Sequence, residues 1–473
     1  MKLIIEARLE SGDPNLQRKP IRLASIERAN DDLEQLGLSL EEGRALMAAA
    51  QSAVVSTHVT HWLSARDYCR YCCTPFRRKD SRSIVVRTVF GKVLVESPRY
   101  WLCACDRVRN NGAAHTMSRL CEALPRRITP ELEYLQAKWA AHLPYAAATA
   151  MLKEVLPLQN SISTTGAKNR IRAVGRDIDA RIEREIAALP KASADGESHE
   201  SARVTALGVD SAWLKHCAQR KLTGRQVNIV AGRATLQDGK TKLYAYVGKR
   251  IPCAAARLDH FLVRQGVNTD ERVTVISDGA GEFAKAVDGS QFARGRILDW
   301  FHIAMKFRAV EQSIMNSRRI EGPDWDRFGR EINSAKWLVW HGKGRKAVPR
   351  LQAIIEELEK WPNQEDTALW WNVRKVCSYV RSHTRFLVNY GARHRKGLPI
   401  SSSIAESALN QVVSTRMAKK QQMRWSDEGA HALALVRVAD LNGELSMETL
   451  GDITWPRRSD FERSWHASLA RAA

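Results

Sequence analysis

Val204-Thr-Ala-Leu-Gly-Val-Asp210 is a run of small and β-branched residues that ends on a carboxylate. The run Val273-Thr-Val-Ile-Ser-Asp278 repeats this pattern further along the chain. Short apolar runs of this kind predict buried β-strands. Because α/β proteins build their sites outside the carboxyl ends of strands, we expect both carboxylates at one edge of a sheet, each where its strand ends.

The hydrophobic pattern around these two runs predicts the rest of a sheet. Strands are expected at 203–210, 225–234, 242–249, 272–277 and 295–299, and helices at 253–265 and 280–287. Three strands in succession, followed by alternating helices and strands, is the order of a ribonuclease-H-like fold. In that order the first and fourth strands bring the two aspartates together.

A third acid, Glu406, lies in the helical run Ser403-Ile-Ala-Glu-Ser-Ala-Leu-Asn. Three carboxylates could hold two divalent cations about 3.5–4 Å apart, as in two-metal nucleases. Two of the acids have a structural explanation: Asp278 before Gly279 could cap a helix, and Ser403 with Glu406 matches a capping box. The structural explanation is weakest for Asp210, because a carboxylate that faces a core is costly without a cation. If Glu406 is not the third ligand, Glu428 is the next candidate.

Asp299-Trp-Phe-His302 follows the last predicted strand. A histidine three residues after an aspartate at a helix start can support the metal-binding acids or contact DNA. The alternative is a partly buried histidine that packs with Trp300 and Phe301.

Two short cysteine pairs, Cys69-Arg-Tyr-Cys72 and Cys103-Ala-Cys105, flank a predicted hairpin. This arrangement is typical of a zinc-ribbon-like segment, in which four thiolates surround one Zn²⁺ ion. Cys73 is an alternative ligand to Cys72. Reduced thiols without a metal are the other explanation.

The helical region after Thr129 ends in two helices separated by a short break. The second carries Lys168, Arg170 and Arg172, which indicates a helix-turn-helix-like module that binds DNA, or a basic helical hairpin that only packs. Lys and Arg number 74 against 52 Asp and Glu, a net charge of +22, which favours a nucleic acid partner.

The composition argues against a disordered or membrane-embedded protein. With 44% hydrophobic and 27% charged residues the chain is globular, and it has no apolar run of about 18 residues and no signal-peptide pattern. We therefore expect a cytoplasmic, nucleoid-associated protein with no membrane contact.

The composition shifts predict a multidomain α/β protein with a flexible linker near residue 190. The expected divisions are 1–66 (helical N-terminal region), 67–110 (zinc-ribbon-like segment), 111–189 (helical DNA-binding region), 190–202 (linker), 203–305 (first part of the ribonuclease-H-like core), 306–398 (all-helical insertion), 399–442 (catalytic helix and end of the core) and 443–473 (C-terminal tail).

Several strings of the sequence resemble those of bacterial insertion-sequence transposases of the ISKra branch, which is related to the Mutator-like DDE transposases. They are Gly208-Val-Asp210, Ser277-Asp-Gly-Ala280, Asp299-Trp-Phe-His-Ile-Ala-Met305, Trp340-His-Gly342, Pro399-Ile-Ser-Ser-Ser-Ile-Ala-Glu-Ser407, Asn410-Gln-Val-Val-Ser414 and Lys419-Lys-Gln-Gln-Met423. The resemblance runs from about residue 69 to about residue 442.

This resemblance implies a metal-dependent DNA transposase with an all-helical insertion before the third acid. Asp210 would contact both Mg²⁺ or Mn²⁺ ions, and Asp278 and Glu406 would each complete one coordination sphere. Arg416, Lys419 and Lys420 would hold DNA next to the cleavage point. Joining two transposon ends to target DNA implies at least a dimer. The alternatives are a DNA-binding regulator without cleavage and a structure-selective nuclease that does not join strands.

Overall fold

A computed structural model gives the fold of the chain except at residues 10–18, 29–35, 70, 110–114, 159, 192–198, 202, 219–225, 250, 280, 318–322, 362–366, 402, 418–422 and 455–473. The described residues form a mixed α/β fold in two compact units. The first unit comprises Met1–Asp177 and Gly443–Ala473, and the second comprises Ile178–Asn442. The predicted linker at 190–202 lies mostly outside the described residues.

The strands are β1 (Lys2–Ala7), β2 (Ile21–Glu27), β3 (Arg78–Thr88), β4 (Gly91–Trp101), β5 (Thr116–Met117), β6 (His199–Glu200), β7 (Val204–Lys215), β8 (Gln226–Leu236), β9 (Thr241–Val247), β10 (Glu271–Ser277) and β11 (Ala293–Leu298). The helices are α1 (Leu40–Ser64), α2 (Ala104–Arg109), α3 (Arg119–Ala123), α4 (Pro130–His142), α5 (Tyr145–Val155), α6 (Thr164–Ala187), α7 (Ala254–Arg264), α8 (Gly281–Asp288), α9 (Trp300–Ser317), α10 (Trp325–Trp340), α11 (Gly344–Lys360), α12 (Ala368–Ser382), α13 (Tyr390–Arg395), α14 (Ser403–Leu409), α15 (Thr415–Met417), α16 (Asp427–Leu441) and α17 (Met447–Thr454).

The N-terminal region is only partly helical, so the prediction for 1–66 was wrong for its first half. β1 and β2 form an antiparallel pair there, because six or seven mostly apolar residues suit a strand as well as a helix. The helix itself begins as expected. Ser39 Oγ accepts a hydrogen bond from the Glu42 N–H at 3.1 Å and Glu42 Oε2 accepts one from the Ser39 N–H at 2.9 Å, which closes the predicted capping box.

The hairpin of β3 and β4 forms the middle of the first unit. Its alternating pattern places Ile84, Val86, Val93 and Val95 on one buried face, where they pack with Leu120 and with apolar residues of α1. The hairpin turns just before Gly91, whose φ of +116° favours glycine. Its two open ends therefore lie side by side.

A buried acid holds the helical part of this unit together. Glu133, on α4, is fully buried, and Oε1 accepts hydrogen bonds from Arg126 at 2.8 Å and from Arg170 at 2.6 Å. Two guanidinium groups offset the cost of burying this carboxylate. They also fix α6 against α4.

The second unit is built around a mixed sheet in the order β11-β10-β7-β8-β9. β7, β8 and β9 are antiparallel neighbours, and β10 and β11 run parallel to β7. One face packs against α7 and α8 through a core that includes Val209, Leu258 and Val275. α14 and α16 also pack on the antiparallel strands.

The predicted end of the first strand was wrong. β7 continues past Asp210 to Lys215, because β8 pairs with it as far as Lys215↔Gln226. The strand that ends beside Asp210 is its parallel neighbour β10, whose last pairing is Ser277↔Val209. Asp210 is therefore placed within a strand, where the neighbouring strand stops.

The segment between β11 and α14 is helical, as the sequence predicts for 306–398. Helices α9 to α13 enclose their own hydrophobic core, which includes Phe307, Phe328, Leu351, Trp370 and Tyr390. Tyr390 Oη donates a hydrogen bond to the Leu298 carbonyl at the end of β11 at 3.0 Å. This contact fixes the helices to the sheet edge that carries the acids.

Candidate functional site

Asp210 lies on β7, and Asp278 directly follows the neighbouring strand β10. The parallel register pairs Val209 with Ser277, so the next residue of each chain segment is one of the two acids. Parallel strands lie about 4.8 Å apart. Val209 is buried in the core on one face of the sheet, and the alternation of a strand turns Asp210 to the other face.

Glu406 reaches the same place from α14, which packs on β7 and β8. Arg233 on β8 donates a hydrogen bond to Ser407 Oγ at 2.9 Å, and Arg233 is paired in register with Gly208, two residues from Asp210. The Glu406 side chain is exposed and lines an open cavity with Ser407, Asn410, Gln411 and Thr415.

The Asp299–His302 pair begins α9 at the same sheet edge. The Asp299 N–H donates to the Ser277 carbonyl at 2.9 Å, and Asp299 Oδ1 accepts from the Phe301 N–H at 2.7 Å. His302 Nε2 lies 3.7 Å from Asp299 Oδ2. The imidazole side chain is 41% exposed whereas the carboxylate is 1% exposed, so a buried acid lies beside a histidine that solvent can reach.

The surroundings of Asp210 shift the pKa of its carboxyl group. Burial raises the pKa of the Asp210 carboxyl, and the negative charges of Asp278 and Glu406 raise it further. A hydrogen bond from the Ser211 N–H, at 2.7 Å, and the nearby His302 act in the opposite direction. A buried carboxylate among other carboxylates is unfavourable unless a cation joins the group.

The three acids are not close enough in this structure to share one ion. Among the described residues, the group of acidic, histidine and cysteine side chains that fits a single metal ion is the thiol cluster considered below.

Sequence reasoning missed the contribution of the helical segment to this site. On α12 and just after it, Tyr379 and His383 pack against Gly279, the residue that follows Asp278. A Cβ atom on Gly279 would lie 2.8 Å from Tyr379 Cε2 and 2.8 Å from His383 Nε2. His383 Nε2 also lies 3.1 Å from the Gly279 carbonyl oxygen. Glycine directly after Asp278 was the local signal for this close approach.

A π-helical turn, Asn410–Ser414, follows Glu406 by one turn. Such turns are frequent at functional sites, and they leave carbonyl groups outside the usual α-helical bonding. Arg437 on α16, 3% exposed, binds them: Nε donates to the Val412 carbonyl at 2.8 Å, and Nη2 donates to the Gln411 carbonyl and to Thr415 Oγ1. One buried guanidinium therefore supports the segment that carries Glu406.

A second candidate site, in the first unit, is a cluster of four thiols at the open ends of the β3–β4 hairpin. The sulfur atoms of Cys69, Cys72, Cys103 and Cys105 all lie within 4.8 Å of one another, so they could hold a structural metal ion such as zinc. Cys69 and Cys72 precede β3, and the other two follow β4. The hairpin brings the two pairs together, as the sequence predicts.

The choice between Cys72 and Cys73 is now clear: Cys73 is not part of the cluster. Its N–H donates to the Cys69 carbonyl at 2.9 Å and its φ is +52°, so it closes the turn that the ligands need. Hydrogen bonds from Thr74 and from the neighbouring thiols lower the pKa of Cys72 to about 6. The thiolate is the form that binds a metal.

The residues predicted to contact DNA lie in different environments. Lys168 is exposed, Arg172 is half-buried, and Arg170 is bound to Glu133 with 15% of its side chain exposed. Arg416 is 2% exposed with its guanidinium over the Trp425 ring, so it is not a surface contact in this conformation. Lys419 and Lys420 lie outside the described residues.

The tryptophans of the helical segment also differ in how far they are exposed. Trp370 is in the core at 4% exposure, whereas Trp337 and Trp371 are about half exposed, at 50% and 46%. The exposed pair can contact a partner through an aromatic face.

No helix within the described part of the chain combines the length and apolar character that crossing a membrane requires. No protein-family model matches the chain, and no curated protein is significantly similar to it. The case for a function therefore rests on the geometry of the two sites.

Proposed function

We propose that this chain is a DNA transposase of the DDE class, similar to the ISKra branch of insertion-sequence transposases. It binds the terminal inverted repeats of its element, cleaves the DNA ends and joins the 3′-hydroxyls to target DNA. The observation that carries the proposal is the convergence of Asp210, Asp278 and Glu406, from three separate segments, at one sheet edge.

The topology of the sheet supports a ribonuclease-H-like assignment for the second unit. Strands β7, β8 and β9 form an antiparallel meander, and β10 and β11 add parallel to the other side of β7. Along the chain, three strands followed by alternating helices and strands is the order predicted from the sequence. The helical segment between β11 and α14 corresponds to the insertion that the resemblance implies.

The donor set fits divalent cations. Asp210, Asp278 and Glu406 offer carboxylate oxygens, the ligands that Mg²⁺ and Mn²⁺ prefer, and the raised pKa of Asp210 identifies a position where positive charge is stabilising. Two bound ions supply Lewis-acid activation of an attacking oxygen and stabilisation of a leaving oxygen. Asp210 would hold these ions together with Asp278 and Glu406, whose charges raise its pKa.

The remaining side chains orient the site and its DNA. Asp299 lies beside the imidazole of His302, which is open to solvent for a phosphate or a base. The net charge of +22 favours a duplex DNA partner through phosphate contacts, to which the exposed Lys168 contributes. In the first unit, a zinc ion at the four thiols would stabilise the segment around the hairpin.

Substitution of Glu406 by glutamine tests the proposal. Gln keeps the size of the side chain and can serve in a capping box, but it removes the charge that a metal ligand needs. We expect Glu406→Gln to lose at least about tenfold in Mg²⁺- or Mn²⁺-dependent cleavage of duplexes made from the DNA that flanks the gene. Glu428→Gln, a change of the same kind at an exposed position of α16, should cleave like the wild type.

Two controls separate loss of chemistry from loss of fold. Glu406→Gln should bind the same duplex and melt at nearly the wild-type temperature. Mn²⁺ should raise the melting temperature of the wild type but not of Asp210→Asn, because binding to the native state stabilises it. Equal cleavage by the wild type and Glu406→Gln would refute the role of this acid.

The products distinguish the two alternatives. Cleavage without joining of ends to a target plasmid would indicate a structure-selective nuclease. Binding of the flanking DNA without any metal-dependent cleavage by the wild type would indicate a regulator derived from a transposase.

A further inference from the structure

The outer edge of β1 carries a pattern that fits a second copy of the same strand. β1 pairs with β2 alone among the described residues, and Leu3 and Ile4 are 50% and 49% exposed. An isolated two-stranded ribbon is marginal in stability, and an unpaired edge is a template for another strand.

The hydrogen bonds at the N-terminus show which backbone groups face this edge. The Met1 amino group donates to the Arg28 carbonyl at 2.8 Å, and the Arg28 N–H donates to the Met1 carbonyl at 3.0 Å. Successive residues of an antiparallel strand direct their N–H and C=O groups to opposite edges. The backbone groups of Lys2 and Ile4 therefore face away from β2. The register shifts after Ile5, but the extra residue lies on β2, so the alternation of β1 continues and Glu6 faces away as well.

The charges on this edge are self-complementary. Lys2 and Glu6 lie two residues on either side of Ile4, on the same face of the strand. If a second β1 lies antiparallel with Ile4 opposite Ile4, each Lys2 lies opposite a Glu6. A shift of the register by two residues in either direction removes both of these pairs.

The existing cross-strand pairs extend the same pattern. Lys2 forms an ion pair with Glu27 on β2 at 2.6 Å, and Glu6 is paired in register with Arg22. Across four strands the signs would alternate: Glu27, Lys2, then Glu6 and Arg22 of the second copy. Opposite charges on directly opposed strand residues are stabilising, and like charges are destabilising.

We propose that two copies of this chain associate through β1, antiparallel about Ile4, to form a four-stranded sheet. The pairing would add about six backbone hydrogen bonds, from the outward-facing groups of Lys2, Ile4 and Glu6 in each copy. A single lysine on an edge usually prevents such pairing. Here each lysine meets a glutamate, so the charges select one register. The proposal does not depend on the proposed catalytic function.

Two like charges placed at the two-fold axis of this dimer test the proposal. The Cα atoms of opposed residues in a hydrogen-bonded antiparallel pair lie about 5.5 Å apart, so Ile4→Lys should place two ammonium groups together. Ile4→Glu should do the same with carboxylates. In DNA-free sedimentation of the full chain we expect each variant to dimerise at least about tenfold more weakly than the wild type. An equimolar mixture of the two variants should recover dimers, because the ammonium group of one copy then lies opposite the carboxylate of the other.

Leu94 on β4 provides the matched control. It is 69% exposed, so Leu94→Lys and Leu94→Glu make the same changes on a strand outside this edge and should dimerise like the wild type. A monomeric wild type at tens of micromolar, unchanged association of Ile4→Lys, or failure of the mixture to recover dimers would each overturn the proposal. Because no DNA is present, failure here leaves the cleavage test of the proposed function untouched.

Discussion

The π-helical turn after Glu406 gives the sharpest stability prediction, because one side chain supports it. Arg437 is buried and donates hydrogen bonds to the carbonyls of Gln411 and Val412 and to Thr415 Oγ1. Arg437→Met keeps most of the apolar stem but removes every donor. The buried Val412 carbonyl would then lose this donor, whereas the Gln411 carbonyl would keep only the Thr415 hydroxyl and the exposed Thr415 could bond to water.

The size of the effect follows from two opposing terms. A hydrogen bond from a charged donor contributes about 1.5–3 kcal/mol, so the three contribute about 4–9 kcal/mol. Against this, burial, with repulsion from Arg416 as a second cause, lowers the pKa of Arg437 from 12.5 to about 10. Removing the charge therefore recovers about 3 kcal/mol. The difference is about 1–6 kcal/mol, and we expect a net loss of about 2–3 kcal/mol because the hydrogen bond to the exposed Thr415 contributes least.

Hydrogen exchange of the backbone amides measures this loss locally. A decrease of about 2–3 kcal/mol in the opening free energy makes exchange roughly 30- to 150-fold faster, and the increase should be confined to 406–417 and its contacts. Arg330→Met is the matched control, because Arg330 is exposed on α10 and its removal should change stability by less than about 0.5 kcal/mol.

Two results would refute this reasoning. If exchange in 406–417 stays within about threefold of the wild type, the guanidinium does not support the turn. If Arg330→Met accelerates exchange in the same segment equally, the effect is not specific to the hydrogen bonds of Arg437.

Two further predictions concern metal and charge. Purified wild-type protein should contain about one zinc per chain; Cys72→Ser should lose it and the adjacent Cys73→Ser should keep it, and metal analysis showing the reverse would exclude the present ligand set. Asp179 is buried, which raises its pKa, but hydrogen bonds from His431 and Arg257 outweigh burial and hold the pKa at about 2. Since the folded pKa lies below the usual 3.8, this carboxylate contributes stability above about pH 4 that is lost as the pH falls towards 2. Asp179→Asn should therefore destabilise the second unit by about 2–3 kcal/mol in urea at pH 7 and by much less near pH 2, whereas the exposed Asp238→Asn should have little effect at either pH; a pH-independent loss would contradict this account.

The sequence predicted the sheet well because its signals are local. Buried strands such as β10 are short apolar runs, and their order along the chain restricts the topology. The end of β7 was misplaced because strand length is decided by the partner: β8 continues to pair beyond Asp210. No residue of β7 by itself carries that information.

The thiol cluster shows the limit of spacing as evidence. Cys72 and Cys73 fit the ligand pattern equally well in sequence, since either gives a short pair with Cys69. The structure separates them through the backbone, because the N–H of Cys73 closes the turn on the Cys69 carbonyl.

Tyr379 and His383 reach Gly279 across about a hundred residues of sequence. This is a tertiary contact that no periodicity in the sequence reveals.

Asp210 differs from the buried acids Glu133 and Asp179 in the charges that surround it. Glu133 and Asp179 are buried beside guanidinium groups of the same unit, so the charge of each is paired within the fold itself. Asp210 is also largely withdrawn from water, and this burial raises its pKa. The negative charges of Asp278 and Glu406 raise the pKa further. Folding alone gains nothing from such a grouping, and like charges placed together cost stability. Under the proposed function, cations bound by the three acids would offset this cost, which is why the charge of Glu406, rather than its size, is the property to remove first.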